Sequence, residues 1–221
     1  MGKILYSYRM VADTGFAPNP YFGVLTLATC KPGMRSNKRI QHEIDSGNEV
    51  WIAGWSSSHI NPAPTHRHEL IWIGKVAEQI SIADYWEQYP QKRAKAAELS
   101  ANGCGCCKGA SVGSVSQELE FYGDNIYRPC DEAEMGYEWQ PNNFHEESDK
   151  AHDLSGRNVL ICEEFYYFSG ESPLLIPDEL VVNIPKGQSR YGSLTEGDRA
   201  NKFLEYAKAQ PCLMYHLKPM Q

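Results

Sequence analysis

Along residues 3 to 11, KILYSYRMV, the apolar side chains of Ile4, Tyr6, Tyr8 and Met10 fall on every second position, which predicts a half-buried β-strand. Gly15, Pro18 and Pro20 then break the chain, and YFGVLTLATC resumes a β pattern. Ile40 and Ile44 lie one turn apart with Gly47 beyond them, predicting a short helix around residues 37 to 46. EVWIAGW and ELIWIGKVAEQI read as the next strands, separated by the polar loop SSSHINPAPTHRH. IADYWEQYPQKRAKAAEL predicts a helix-rich connection split at Pro90, followed by a Gly/Ser-rich stretch that reads as a loop. β pattern returns at QELEFYG, RNVLICEEFYYF and ELVVNI. The clearest helix comes last: Ser193 and Glu196 form a candidate capping box, and Ala200, Phe203, Leu204 and Ala207 repeat at helical spacing before Pro211. LMYHL can add a final strand.

These elements do not alternate β with α. The expected fold is therefore α+β, a strongly bent mixed sheet or small β-barrel with two or three peripheral helices. A chain of 221 residues, 42% hydrophobic, fits one domain over residues 1–221, with insertions or loops at 101–116 and 131–150. Its apolar runs contain charges and are too short to cross a bilayer. MGKILYSYRM enters the first strand without an apolar signal core, so a cytoplasmic location is expected. The seven cysteines are scattered and odd in number, which favours free thiols. Charge is uneven: residues 1 to 110 hold 12 Lys+Arg against 9 Asp+Glu, and residues 111 to 221 hold 9 against 19. Wholesale polyanion binding is disfavoured, while a local phosphate-contacting patch at Lys31, Arg35, Lys38 and Arg39 is compatible with this balance.

YSYRMVADTGFAPNPYFGVLTLATCKP, GNEVWIAG, LIWIGKVAEQISIADYW, YGDNIYRP and VLICEEFYYF, in that order, resemble the second of the nucleotide-modification-associated domains, which occur in bacteria and their viruses near genes for modified DNA bases. The resemblance implies a role in making, recognising or removing a modified nucleotide. It departs at NGCGCCKG and at the acidic stretch 131–149. GNEVWIAG followed by LIWIGKVAE is also similar to the paired strands of PUA-like barrels, some of which hold a flipped base in an aromatic pocket.

Candidate chemistry gathers in a few stretches. In FYGDNIYRP, a tight turn explains Gly123, Asp124 and Asn125. It does not explain Tyr122, Tyr127 and Arg128, whose aromatic and guanidinium faces suit an unstacked base. RMVADTGFAPNP supplies Arg9, Asp13 and Asn19, either as phosphate, base or ribose contacts or as a salt bridge and Asx turn. Lys31 is a further candidate substrate contact. Glu163 and Glu164 interrupt an apolar strand. Neighbours on a strand face opposite sides, so one of them points inward if the strand is central, and it then becomes a candidate general acid or base. If the strand is an edge, both are simply exposed. Asp124 and Asp13 complete the list of candidate catalytic carboxylates.

His66 and His68, with Glu69 beside them and His59 nearby, are too few for a metal site on their own. Cys104, Cys106 and Cys107 have no matching second pair; His145 and His152 are the nearest downstream ligand types, and a cysteine nucleophile there would need a base. No cofactor is expected: the phosphate-binding and dinucleotide glycine motifs and the H-E-x-x-H motif are absent. The first function expected is an enzyme acting on a modified base or nucleotide in DNA, at the glycosidic bond or a base substituent. The alternatives are a non-catalytic reader of modified bases, or an acidic DNA mimic that occupies another protein. DNA or a nucleotide carrying a modified base is the expected partner, with no membrane association.

Overall fold

The computed structural model describes residues 2–57, 68–94, 122–187 and 189–216. The chain packs as two compact units, one comprising residues 1–13, 37–79 and 161–221, the other residues 14–36 and 80–160. The fold is α+β, with a large mixed sheet and few helices.

In the first unit, β1 (Lys3–Met10) runs parallel to β3 (Glu49–Ser56), Lys3 opposite Glu49 and Met10 opposite Ser56. Parallel neighbours need a crossover, and α2 (Lys38–Asp45) lies within it. β4 (Glu69–Ser81) is antiparallel to β3, with a register shift at Gly54/Trp55. β7 (Asn158–Tyr167), β8 (Leu174–Leu175), β9 (Ser193–Glu196) and β10 (Met214–His216) also belong to the sheet. The order is β10-β7-β4-β3-β1-β9, with β8 paired to β4.

Alternation predicts one buried face for β1, but Leu5 and Ser7 are buried together with Ile4, Tyr6, Tyr8 and Met10. The second face is covered by α5 (Gly197–Lys208), whose Ala200, Phe203, Leu204 and Ala207 share a core with Leu5, Trp51, Ala53 and Trp55. The Trp55 and Phe203 rings are 5.5 Å apart. Burying Phe203 alone is worth about 1.5–3 kcal/mol.

Two expectations need correction. Ser193 is not an N-cap: residues 193–196 form β9, with Leu194 opposite Tyr6 and Thr195 opposite Leu5, and Glu196 occupies the cap position of α5 without a side-chain capping bond. Pairing with β1 outcompetes a capping box. ELVVNI is not a strand: a 3₁₀ turn occupies Asp178–Leu180, and Val182 is buried in the α5 core. Its apolar residues pack without a ladder.

The second unit holds β2 (Leu25–Leu27), α1 (Pro32–Arg35), α3 (Ile82–Gln88), α4 (Lys150–Leu154) and a small antiparallel pair, β5 (Tyr127–Pro129) with β6 (Tyr137–Trp139). The stretch 131–149, expected as an insertion or loop, supplies β6 and two 3₁₀ turns. Residues 101–116 lie outside the described residues. Among the described residues no helix is long and apolar enough to cross a membrane.

Candidate functional site

Two buried networks occupy the second unit. In the first, Asp124 is 1% exposed and accepts hydrogen bonds from Thr26 Oγ1 at 2.6 Å and the Tyr85 hydroxyl at 2.6 Å. Lys92, fully buried, donates all three ammonium protons: to Asn19 O at 3.0 Å, Asn19 Oδ1 at 2.9 Å and Thr26 Oγ1 at 2.8 Å. Burial raises the Asp124 carboxyl, and Lys92, Thr26 and Tyr85 only partly oppose this. Asn125 Nδ2 donates to the carbonyls of Tyr85 and Tyr89 at the end of α3, and a Cβ on Gly123 would collide with the Lys92 carbonyl. The GDN segment thus clips α3 and the Lys92 turn in place.

The second network ends at a nucleophile. β2 leads into Cys30 and Lys31, which take φ values of 55° and 40°. Two successive non-glycine residues in the left-handed region cost on the order of 1–3 kcal/mol each, so the surroundings must hold them. Asp153 on α4 does so by accepting the Cys30 amide at 2.7 Å, and Arg35 Nε donates to the Cys30 carbonyl at 2.7 Å. Arg35 is itself fully buried, its other nitrogens bonded to the carbonyls of Asn158 and Asp153.

Asp153 Oδ2 also receives His145 Nδ1 at 2.8 Å and the Tyr127 hydroxyl at 2.8 Å. His145 Nε2 then faces Cys30 Sγ at 3.6 Å. The result is a thiol, an imidazole and a carboxylate in relay, with Cys30 partly exposed and Asp153 fully buried. Burial by itself would lower His145, but the bonds to Asp153 and Cys30 outweigh it and hold its pKa at about 10. Burial would raise Asp153; the donors from His145, Cys30 and Tyr127 reverse that and keep it below the usual carboxylate range. Asp153 in turn makes Tyr127 harder to ionise, adding to the effect of burial. Those bonds favour the imidazolium form of His145 beside the sulfur, the counter-charge that a thiolate nucleophile requires.

Aromatic rings line the imidazole. Phe16 lies 5.0 Å from the His145 ring and stacks on Phe144 at 4.8 Å with an 18° interplanar angle. Tyr122 lies 5.2 Å from Phe144, and Tyr21 lies 5.1 Å from Tyr122. Phe16, Tyr21 and Tyr122 are buried, whereas Phe144 is half-exposed.

The residues singled out in the sequence are distributed as follows. Asp124, Asn125 and Asn19 belong to the interior network, and Asn19 Nδ2 donates to the Tyr122 carbonyl. Tyr127 reaches Asp153, while Arg128 is exposed and donates through Nε to Glu138 at 2.6 Å. Lys31 is half-buried next to Cys30, and burial lowers its pKa. In the first unit, Arg9 donates to the carbonyls of Pro185 and Ser56, and Asp13 accepts from the Tyr167 hydroxyl and the Gly170 amide. β7 lies between β10 and β4, and both Glu163 and Glu164 are half-buried on it, Glu164 pairing with Lys208 at 2.6 Å.

Arg35 is not part of a surface cation patch, and Arg39 pairs with Glu43 and Glu196. His68 faces Asp178 at 3.6 Å; His59, His66 and the Cys104, Cys106 and Cys107 cluster lie outside the described residues. Among the described residues no group of three His, Cys, Asp or Glu is arranged to hold a metal ion.

Cys30 and Asp153 escaped the sequence reading, and His145 entered it only as a distant ligand type. Cys30 is separated from His145 by 115 residues and from Asp153 by 123, so no local spacing signals the relay.

A family model described as nucleotide modification associated domain 2 matches residues 2–107 and 111–221. No curated protein and no solved structure matches the chain.

Proposed function

We propose, from the premise that the chain belongs to the nucleotide modification associated domain 2 family, that it is an enzyme acting on a modified base or nucleotide in DNA through covalent catalysis by Cys30. The family links the chain to nucleotide modification. The observation that carries the enzymatic reading is the Cys30–His145–Asp153 relay, in which Asp153 fixes His145 Nδ1 and leaves Nε2 facing the thiol at 3.6 Å. Cys30 is the nucleophile, His145 moves the proton, and Asp153 is a positioning residue.

Of the two reaction types expected, chemistry at a base substituent is the better supported. Glycosidic cleavage draws on carboxylates that reach the sugar. In this unit Asp124 and Asp153 are both buried, and each carboxylate oxygen already carries a donor. The half-buried Phe144, beside Phe16 and Tyr122, suits an extruded or free base, with Lys31 next to Cys30 for its phosphate.

The test is to incubate wild-type protein and Cys30→Ala with genomic DNA from viruses carrying different modified bases and with plain DNA, then analyse polymer and released small molecules by mass spectrometry. A product formed from one modified DNA by the wild type alone is expected. Equal turnover by Cys30→Ala would remove Cys30 from the mechanism. Retention of one modified DNA without any product would favour a reader.

A further inference from the structure

Resting on the assignment of Cys30 as nucleophile, we propose that the substrate is a nucleotide whose base carries an acyl group on an exocyclic nitrogen, and that Cys30 removes this group by way of a thioester. Asp153 binds His145 Nδ1 at 2.8 Å, so Nε2, at 3.6 Å from Cys30 Sγ, is the ring nitrogen left to exchange protons at the thiol. Acyl transfer needs one such site, because the nitrogen that takes the thiol proton returns it to the leaving amine. It also needs no reactant besides water.

The competing use of a cysteine on a base is addition to C6 of a pyrimidine. That reaction requires an acid at the far side of the ring and an electrophile delivered to C5. Of the buried acids in this unit, Asp124 is committed to Thr26 and Tyr85, and Tyr127 to Asp153. Phe16 stands 5.0 Å from the imidazole and Phe144 stacks on Phe16, so a base stacked on this aromatic group lies beside the relay.

The reaction balances without an oxidant or a second substrate. The Cys30 thiolate attacks the acyl carbon, forming an S–C bond, and the C–N bond to the base breaks as His145 Nε2 gives its proton to the departing amine. Water then attacks the thioester with His145 taking its proton. The S–C bond breaks, the carboxylic acid leaves, and the thiolate and imidazolium are restored. The net change is hydrolysis of an amide to an acid and the unmodified base.

The probes are the 5′-monophosphates of N4-acetyldeoxycytidine and N6-acetyldeoxyadenosine, with longer aliphatic acyl groups in parallel, set against 5-fluorodeoxycytidine and 5-fluorodeoxyuridine monophosphates supplied with S-adenosylmethionine as an electrophile for C5. Full-length protein is assayed for free acid and by intact mass after acid quenching. Release of acid from at least one acylated nucleotide is expected, falling at least about a hundredfold in both Cys30→Ser and His145→Ala. Cys30 of the wild type should carry an acyl mass that hydroxylamine removes. Labelling of Cys30 by a fluoropyrimidine, with no acid from any acylated nucleotide, would overturn the acyl proposal and leave Cys30 as nucleophile. No acid and no label from any probe would overturn the acyl proposal as well. Undiminished acid release by a folded Cys30→Ser variant would overturn both this proposal and the assignment on which it rests.

Discussion

Asp153→Asn tests the relay most sharply, because the substitution keeps the shape of a fully buried side chain and removes only its charge. If the amide oxygen keeps the Cys30 amide, its NH₂ faces His145 Nδ1 and the Tyr127 hydroxyl, where the carboxylate accepted both. His145 can then bind only by accepting at Nδ1, which moves its proton to Nε2 and faces the thiol with the wrong tautomer. If the amide flips, its NH₂ meets the Cys30 N–H instead. Either orientation loses charge-assisted bonds, at a cost of about 3–5 kcal/mol. The pH dependence carries a second signature. His145 rises to about 10 when folded, from an ordinary 6.5, so its contribution is complete below pH 6.5 and disappears as pH climbs through about 10. That rise is worth on the order of 5 kcal/mol, with a slope of at most about 1.4 kcal/mol per pH unit. Asp153 is shifted the other way, so its share is present at neutral pH and is lost only as pH falls below the carboxylate range. Urea unfolding at pH 6, 8 and 10, followed by tryptophan fluorescence, should show wild-type stability falling across this alkaline window. Asp153→Asn should be less stable at pH 6 and flatter thereafter. Parallel curves for the two proteins would refute the coupling of His145 to Asp153.

Three further substitutions have distinct outcomes. His145→Ala should slow alkylation of Cys30 by iodoacetamide at pH 7 by about tenfold or more, read by peptide mass spectrometry; an unchanged rate would mean that the imidazolium does nothing for the thiol. Lys92→Met removes three hydrogen bonds and strands the buried Asp124, and should cost about 3–5 kcal/mol in denaturation while leaving Cys30 alkylation intact. Gly156→Ala would put its Cβ at 2.5 Å from the guanidinium carbon of Arg35, which three carbonyls hold in place, so a loss of about 1–3 kcal/mol is expected in thermal denaturation. A loss under about 0.5 kcal/mol would show that Arg35 has room to yield.

What the sequence made legible follows from the range of the interactions. β1, β3, β4 and α2 lie close to their predicted spans because each is specified by its own local run of residues. So is the buried face of α5. The errors at its start and at ELVVNI come from distant partners: Leu194 and Thr195 pair with β1, and Val182 fills a core made by β1, β3 and α5. The site was harder for the same reason. Tyr122, Asp124 and Tyr127 drew attention as a local cluster, yet the partners of the Asp124 carboxylate and the Tyr127 hydroxyl lie on Thr26, Tyr85 and Asp153. Cys30 read as one scattered thiol because the turn that presents it is held by Asp153, which lies 123 residues away. Arg35 illustrates the limit of charge patterning. It stands in a run of cations and is nonetheless completely buried, neutralising backbone carbonyls instead of meeting phosphate.

Both networks centre on a buried aspartate, and the reason to assign chemistry to only one lies in where each chain of hydrogen bonds terminates. From Asp124 the bonds run through Thr26 to Lys92 and Asn19, every member at most 1% exposed, with all three ammonium protons spent on acceptors inside the unit. Its effect is to join the segments around residues 19, 26, 85–92 and 124. From Asp153 the bonds run through His145, whose side chain is 15% exposed, to a partly exposed sulfur held on two left-handed residues. A closed circuit gains from staying fixed and supports stability. A circuit that ends at an accessible nucleophile can transmit a change at that atom to the buried carboxylate, which is what a proton-transferring pair requires. Loss of Lys92 should therefore register in unfolding and loss of Asp153 in both unfolding and thiol reactivity, and that separation distinguishes scaffold from site.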